Sequence, residues 1–195
     1  MSTSPKTVVI LGASFAGLPL AQNLLKNTAP KVPGGLKVIL VAPNTHLYWC
    51  LASVRGVVPG QDGGFADDKL FYPIAPGFSK YSAEQFEFVL GSATALLVTP
   101  VLRKRANLQP PNALHIDPQV AYVAKDMQAR LLAGGDGKAT TTPEFKPNEM
   151  VMFMASIGKS RGVGQAGSFK LPSFATWLVK SRTLMTQRAP GTVGA

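Results

Sequence analysis

The chain has 195 residues, of which 46% are hydrophobic, 15% are charged and a single one is Cys. This composition is typical of a globular protein of one domain or slightly more and excludes a disordered chain. A single Cys excludes an intramolecular disulfide scaffold and a Cys-x-x-Cys redox pair. The formal net charge is +10. Because the basic residues stand mostly singly and accompany no nucleic-acid-binding motif, we expect no nucleic acid as partner.

The N-terminal region predicts a strand, a tight turn and a helix. Residues 7–11 form a β-branched run that suits a strand buried on both faces. Apolar residues then recur at near-helical spacing as far as Leu25, and Leu36 to Val41 predict a second strand. The three elements form a βαβ unit with parallel strands and a right-handed crossover. The glycines and polar residues within this apolar stretch argue against a transmembrane segment.

The rest of the chain predicts fewer elements. Residues 44–68 read as a long loop. Asp117 is predicted to be the N-cap of a helix whose first residue is Pro118 and which stops at Gly134 and Gly135. The remaining predicted elements are strands at 85–90 and 150–157 and a short amphipathic piece around Phe174, Trp177 and Leu178.

The strongest motif is the turn between the first strand and the first helix. It consists of Gly12, Ala13, Ser14, Phe15, Ala16 and Gly17. In a dinucleotide fingerprint, the first glycine permits the tight turn and the last lets helix and strand pack closely. Ser14 stands where the second glycine is usual, but it is small and its hydroxyl can donate to a phosphate. The helix N-terminus adds backbone N–H groups, so the pattern predicts a dinucleotide site.

The end of the second predicted strand lacks the acidic residue that usually holds a ribose. Asn44 stands in this region and can donate to or accept from a ribose hydroxyl.

A serine hydrolase is the rival interpretation of the same turn. Ser14 would be the nucleophile of an elbow, and Asp62, Asp67 or Asp68 followed by His115 would complete the chain order of a triad. An elbow at Ser14 leaves only one strand before it, so this interpretation lacks the preceding sheet and oxyanion loop.

Two C-terminal patterns imitate phosphate-binding motifs. Gly158-Lys159-Ser160 ends like a P-loop, but the glycine required five residues earlier is Phe153. Residues 162–167 read G-x-G-x-x-G, yet Pro172 would fall inside the helix that should follow. We therefore interpret residues 162–167 as a β-turn in a small interface domain.

The remaining candidates are weak. His46 and His115 are the only histidines and have no Cys or His partner at ligand spacing, so we expect no metal site. Cys50 is either a passive buried thiol or a thiol close to a bound cofactor.

Several segments together resemble a known family. The segments 7–18, 38–49, 51–56 and 86–91 and the C-terminal blocks within 157–184 are similar to FAD-dependent pyridine-nucleotide oxidoreductases. The similarity is greatest to the fungal branch related to apoptosis-inducing-factor-like, mitochondrion-associated inducer of death. The resemblance implies FAD in an N-terminal Rossmann-like unit and NAD(P)H in a second unit. Hydride would pass to the flavin, and electrons onward to a quinone-like acceptor. The resemblance also marks Arg55 as cofactor-binding.

The chain departs from this family in the middle. Family members run to roughly twice this length, as expected of two dinucleotide units with an interface domain. Here the second fingerprint is missing near residues 94–99, where the central NAD(P)H-binding domain would lie. Of the Gly-Asp pair that holds the flavin ribityl chain, Gly is replaced by Ile116, and Asp117 is either the surviving acid or only a helix cap.

We therefore expect an α/β protein with an incomplete Rossmann-like FAD/NAD(P)-binding fold. Its predicted domains are 1–135, interrupted near 94–99, and a small α+β interface segment, 136–195. Two functions stay open: an FAD-dependent NAD(P)H-to-quinone oxidoreductase impaired in this short form, or a truncated, non-catalytic nucleotide-binding remnant. With neither a signal peptide nor a transit peptide in the sequence, we expect a cytoplasmic protein, with membrane or mitochondrial association as the alternative.

Overall fold

The structure is a computed structural model, and its described part has mixed α/β architecture. It contains a parallel three-stranded sheet and two antiparallel sheets of two and three strands. The described residues are 5–57, 65–95, 113–133, 142–143, 145–146 and 150–194.

The strands are β1 (Lys6–Leu11), β2 (Leu36–Ala42), β3 (His46–Tyr48), β4 (Phe71–Pro73), β5 (Phe86–Leu90), β6 (Met152–Ile157), β7 (Arg161–Ala166) and β8 (Phe169–Leu171). The α-helices are α1 (Gly17–Asn23), α2 (Ser53–Gly56), α3 (Ala113–Leu132), α4 (Ser173–Thr176) and α5 (Ala189–Val193). A π-helical turn, Leu24–Thr28, continues α1, and another, Trp177–Ser181, continues α4.

The chain forms two compact units, each built from separate stretches of sequence. The first comprises Met1–Thr45, Ile74–Pro147 and Gly194, and the second comprises His46–Pro73, Asn148–Val193 and Ala195. The predicted domain boundary between residues 135 and 136 lies outside the described residues.

The first unit contains the predicted βαβ arrangement. Its sheet has the order β1-β2-β5, and all three strands are parallel. In the register, Val8 pairs with Val38, and Ile10 pairs with Leu40, which in turn pairs with Phe88. The predicted strands at 7–11, 36–41 and 85–90 are thus confirmed, and α1 packs against β1 and β2.

The prediction that β1 is buried on both faces is wrong. Val8 and Ile10 are buried, whereas Val9 is 56% exposed and Leu11 is 52% exposed. Successive side chains of a strand point to opposite faces, so only the face with Val8 and Ile10 belongs to the core. Because the β1 sequence does not alternate between apolar and polar residues, it did not indicate that one face would be exposed.

The long helix α3 begins earlier than predicted. It starts at Ala113 instead of after Asp117, so Asp117 is not an N-cap and Pro118 lies inside the helix. Ala113 and Leu114 are among the residue types that favour helix most strongly, and they extend the helix in the N-terminal direction. Its described end, at Leu132, agrees with the predicted stop, although Gly134 and Gly135 lie outside the described residues.

The stretch predicted as a long loop, 44–68, contains regular structure. It includes β3, a 3-10 turn at Cys50–Ala52 and α2. The strand β3 pairs with β4 in an antiparallel ladder that places Tyr48 opposite Phe71. A three-residue strand is too short for periodicity to reveal, so only its distant partner strand identifies it.

The rest of the second unit is an antiparallel sheet covered by a helix. The sheet has the order β6-β7-β8, and α4 packs against β7. Residues 162–166 of the G-x-G-x-x-G pattern lie in β7, and Gly167, at φ +57°, lies in the turn to β8. The pattern is therefore part of a β-hairpin and not a phosphate loop. The interpretation of residues 162–167 as a β-turn is wrong except at Gly167, because the other five residues pair as a strand.

Candidate nucleotide-binding site

The turn after β1 has backbone geometry that requires its first glycine. The N–H of Gly12 donates to the carbonyl oxygen of Val41 at 2.8 Å, which fixes the end of β1 against β2. The φ of Gly12 is +103°, in a region that residues with a side chain rarely adopt. Gly12 thus directs the chain out of the sheet and towards α1.

The last glycine of the motif is required by a close approach. A Cβ atom on Gly17 would overlap the carbonyl oxygen of Gly12 and lie 3.0 Å from its carbonyl carbon. The same atom would lie 3.4 Å from a methyl group of Ile10, which belongs to the buried face of β1. The start of α1 therefore packs directly on the backbone at the end of β1, which only glycine allows.

The turn is partly exposed and contains one polar side chain, that of Ser14. Gly12, Ser14 and Ala16 are exposed, and the other three residues of the turn are half-buried. Within the described residues, no side chain caps the first turn of α1. The backbone N–H groups at such a helix start can bind phosphate, and the Ser14 hydroxyl can add a further donor.

Asn44 lies near the same edge of the sheet as this turn. It follows β2 by two residues and is exposed. Because β1 and β2 are parallel and paired through Leu11 and Val41, both strands end at one edge. The structure thus brings Asn44 and the glycine turn to the same end of the parallel sheet.

The two other predicted site residues lie elsewhere in the chain. Arg55 belongs to the second compact unit, where its guanidinium donates to the carbonyl oxygen of Ser181 and, at 3.3 Å, to that of Arg182. It also lies over the ring of Phe65, with 5.1 Å from its Cζ to the ring centroid. Asp117 lies on α3 in the first unit.

The glycine turn contains no titratable side chain, and perturbed groups occur elsewhere. The hydrogen bond to Asp126 raises the pKa of Arg130 on α3. Burial, followed by the nearby charge of Asp68, raises the pKa of Tyr72. The binding chemistry of the turn therefore comes from backbone groups and one hydroxyl, which do not change with pH in the physiological range.

Two neighbouring side chains in the stretch predicted as a long loop differ in burial. Cys50 is exposed, so it is not a buried thiol. Trp49, the residue before it, is only 2% exposed and belongs to the core.

The second unit also contains a cavity that the sequence did not predict. Its volume is about 290 Å³, and its lining includes Tyr48, Asp67, Leu70 and Phe71. In the sequence, Phe71 lies close to Asp67, but Tyr48 lies more than 20 positions before Phe71. No local pattern therefore indicated that these residues line one cavity.

The described ranges contain neither a candidate membrane-spanning helix nor a candidate metal-binding cluster. In these ranges, no helix combines the length and the apolar character needed to cross a bilayer. The same ranges contain no group of three or more His, Cys, Asp or Glu that can hold a metal ion.

About half of the chain is similar in sequence to known proteins. The chain matches no known family model. It is similar to Oxidoreductase ptaL from Pestalotiopsis fici (strain W106-1 / CGMCC3.15140), at 46% identity over 91 residues, covering 47% of this chain and 24% of that protein. It is also similar to Oxidoreductase phnG from Penicillium herquei, at 36% identity over 97 residues, covering 49% of this chain and 23% of that protein.

The chain thus spans about a quarter of each of these relatives. Both relatives are fungal and both are named oxidoreductases, which supports the resemblance at the level of oxidoreductases.

Proposed function

We propose that this chain provides the FAD-binding part of an oxidoreductase that passes electrons from NAD(P)H to a quinone-like acceptor. The observation that carries the proposal is the pair of required glycines. Gly12 has a positive φ, and Gly17 approaches the Gly12 carbonyl so closely that no side chain fits. These are the two backbone features that a dinucleotide fingerprint demands between its first strand and helix.

The sheet order supports a Rossmann-like interpretation of the first unit. In such folds, the strand after the first helix pairs in parallel with the first strand, and the next strand pairs on its far side. The order β1-β2-β5 agrees with this arrangement. The ligand of an open parallel sheet binds beyond the carboxyl ends of the strands, which is where the glycine turn and Asn44 lie.

The residues of this edge fit the pyrophosphate and ribose of a dinucleotide. Backbone N–H groups of the turn after Gly12 would hold the pyrophosphate, with the Ser14 hydroxyl as an additional donor. Asn44 would bond a ribose hydroxyl through its side-chain amide. When bound, FAD supplies an acceptor for hydride and a donor of electrons to the final acceptor. The role of the protein here is to bind and orient the cofactor.

Arg55 and Asp117 stay predictions as cofactor-binding residues. The guanidinium of Arg55 is already bonded to two carbonyl groups of the helical end at 181–182. The proposal therefore depends on the glycine turn and Asn44 alone.

A non-catalytic nucleotide-binding protein is the second candidate function. Within the described residues, a glycine turn between a parallel strand and a helix occurs once, after β1. An enzyme of the proposed type needs a place for NAD(P)H as well as one for FAD. The non-catalytic candidate needs at most an adenine nucleotide, so the two candidates differ in whether NADH reduces a bound flavin.

FAD binding is tested by titrating the purified chain with FAD and following flavin fluorescence. We expect saturable binding that Ser14→Asp weakens by at least about tenfold, because a carboxylate would repel the pyrophosphate at short range. Ser14→Gly should retain binding, since it restores the usual fingerprint. Ser79→Asp places the same charge on an exposed site of the same unit and serves as control. Equal FAD affinity in Ser14→Asp and Ser79→Asp would contradict the proposed site.

Catalysis is tested by adding NADH to the FAD-loaded chain without oxygen. Bleaching of the flavin absorbance would support the oxidoreductase. Bound flavin that neither NADH nor NADPH bleaches would support the non-catalytic candidate. A chain that fails to bind FAD at all would overturn the oxidoreductase and leave the non-catalytic candidate.

A further inference from the structure

The cavity of the second unit has an aromatic wall. Tyr48 and Phe71 face each other across β3 and β4, and their ring centroids are 5.1 Å apart with an interplanar angle of 27°. Both rings line the cavity of about 290 Å³, and each residue remains 43% exposed. The stacked pair therefore offers ring surface to a ligand instead of being consumed by the core.

The other walls of this cavity include two aliphatic side chains and the polar residue Ser53. Leu70 is buried and Val57 is exposed, and both line the cavity together with Gly56. A Cβ atom on Gly56 would lie 2.6 Å from a methyl group of Leu70. The glycine thus allows α2 to approach Leu70 closely and keeps the cavity shallow and apolar on this side.

The charge at the cavity is negative, although the whole chain is strongly basic. Asp67 lines the cavity, and no Lys, Arg or His is among its described lining residues. The nearest basic residue in sequence, Lys69, lies 3.8 Å from the neighbouring carboxylate of Asp68. In the described part of the chain, Asp67 itself has no ion-pair partner. A ligand that reaches this cavity therefore meets a carboxylate that is not engaged in an ion pair with any described residue.

We propose that this cavity binds an organic cation of the alkylammonium class, such as a trimethylammonium group. The faces of Tyr48 and Phe71 attract a cation through their ring quadrupoles, and Asp67 supplies the counter-charge. The aliphatic walls suit the methyl groups of such a ligand. An anion would be repelled by Asp67, and a neutral apolar ligand would gain nothing from it. This site lies within the second unit and is independent of FAD binding.

The charge requirement is tested on the full chain with choline and its neutral isostere, 3,3-dimethylbutan-1-ol. The two compounds share shape and differ in charge, so NMR titration separates the cation effect from apolar burial. We expect choline to bind at least about threefold more tightly, as cation–π attraction at a partly exposed site allows. Equal affinity for the two compounds, or no binding of choline, would overturn the proposal.

Two substitutions with matched controls locate the site. Tyr48→Leu and Asp67→Asn should each weaken choline binding about threefold or more. Phe169→Leu removes a ring that is 79% exposed but does not line the cavity, and Asp68→Asn removes a carboxylate outside the lining. Both controls should leave choline affinity unchanged. Controls that weaken binding as much as the test variants would overturn the assignment to this cavity.

The source of the trimethylammonium group is distinguished with phosphatidylcholine vesicles. Binding of free choline without binding of vesicles assigns a small soluble cation, whereas binding of vesicles assigns a lipid headgroup. Binding of neither contradicts the site.

Discussion

The two compact units use similar glycine patterns for opposite purposes. In the first unit, Gly17 packs against the backbone carbonyl of Gly12, and the turn between them stays exposed. In the second unit, Gly162 and Gly164 lie beneath the side chain of Thr176, which fills the space above β7. The turn between Gly12 and Gly17 thus stays exposed, while the literal G-x-G-x-x-G pattern packs against α4.

The physical difference is the kind of atom that opposes the glycine. A backbone carbonyl cannot be removed by substitution and cannot move without disrupting the strand. A side chain can be shortened.

Gly17→Ala should destabilise the first unit most. The new Cβ would overlap the Gly12 carbonyl oxygen, so strand and helix must separate. We expect a loss of about 3 kcal/mol or more in the free energy of unfolding, at the upper end of overpacking effects. Urea denaturation measures this loss. Gly91→Ala is the control, since its Cβ would meet nothing within 4 Å, and a loss as large there would contradict the close-approach argument.

Trp49→Phe should destabilise the second unit by about 2 to 3 kcal/mol. The change removes buried volume and the hydrogen bond from the indole N–H to the Leu184 carbonyl oxygen, which measures 3.0 Å. Trp177→Phe removes a similar bond, to the carbonyl oxygen of Lys159 at 2.9 Å, in an exposed position. Thermal unfolding should show a clearly smaller shift for Trp177→Phe, and equal shifts would contradict the role of burial.

Gly162→Ala should lower the free energy of unfolding by about 1 to 3 kcal/mol. A second substitution should restore part of this loss. Its Cβ would lie 2.5 Å from the Thr176 methyl carbon, which Thr176→Ser removes. In Gly164→Ala, the Cβ would instead lie 2.8 Å from the Thr176 hydroxyl oxygen, which serine keeps. Double-mutant cycles should therefore show rescue for Gly162→Ala but not for Gly164→Ala.

Glu87→Gln should have the smallest effect and lower the free energy of unfolding by less than about 1 kcal/mol. Glu87 Oε2 lies 2.6 Å from Lys37 Nζ, but both side chains are partly exposed. Stability of the native chain should also fall slightly as salt is added, while that of Glu87→Gln should not. A loss above about 2 kcal/mol would show that the parallel sheet depends on this pair more than on its apolar core.

The sequence was sufficient to identify the elements with strong local signals. The strands β1, β2 and β5 and the glycine turn follow from β-branched runs and from residue types that only certain backbone shapes permit. The start of α3 was misplaced because Asp117 and Pro118 imitate a helix start, while the chain continues the helix back to Ala113. Helix propensity outweighs a local N-cap pattern when the residues before the cap also favour a helix.

By itself, the sequence determined the parallel βαβ unit and the position of its glycine turn, because these depend on residues close together along the chain. Only the tertiary structure decided which face of β1 is buried, since both faces carry apolar residues. It also brought Tyr48 and Phe71 together from distant positions, and it engaged Arg55 with the carbonyl groups of Ser181 and Arg182. These contacts join residues that are far apart along the chain, so no local sequence pattern indicates them.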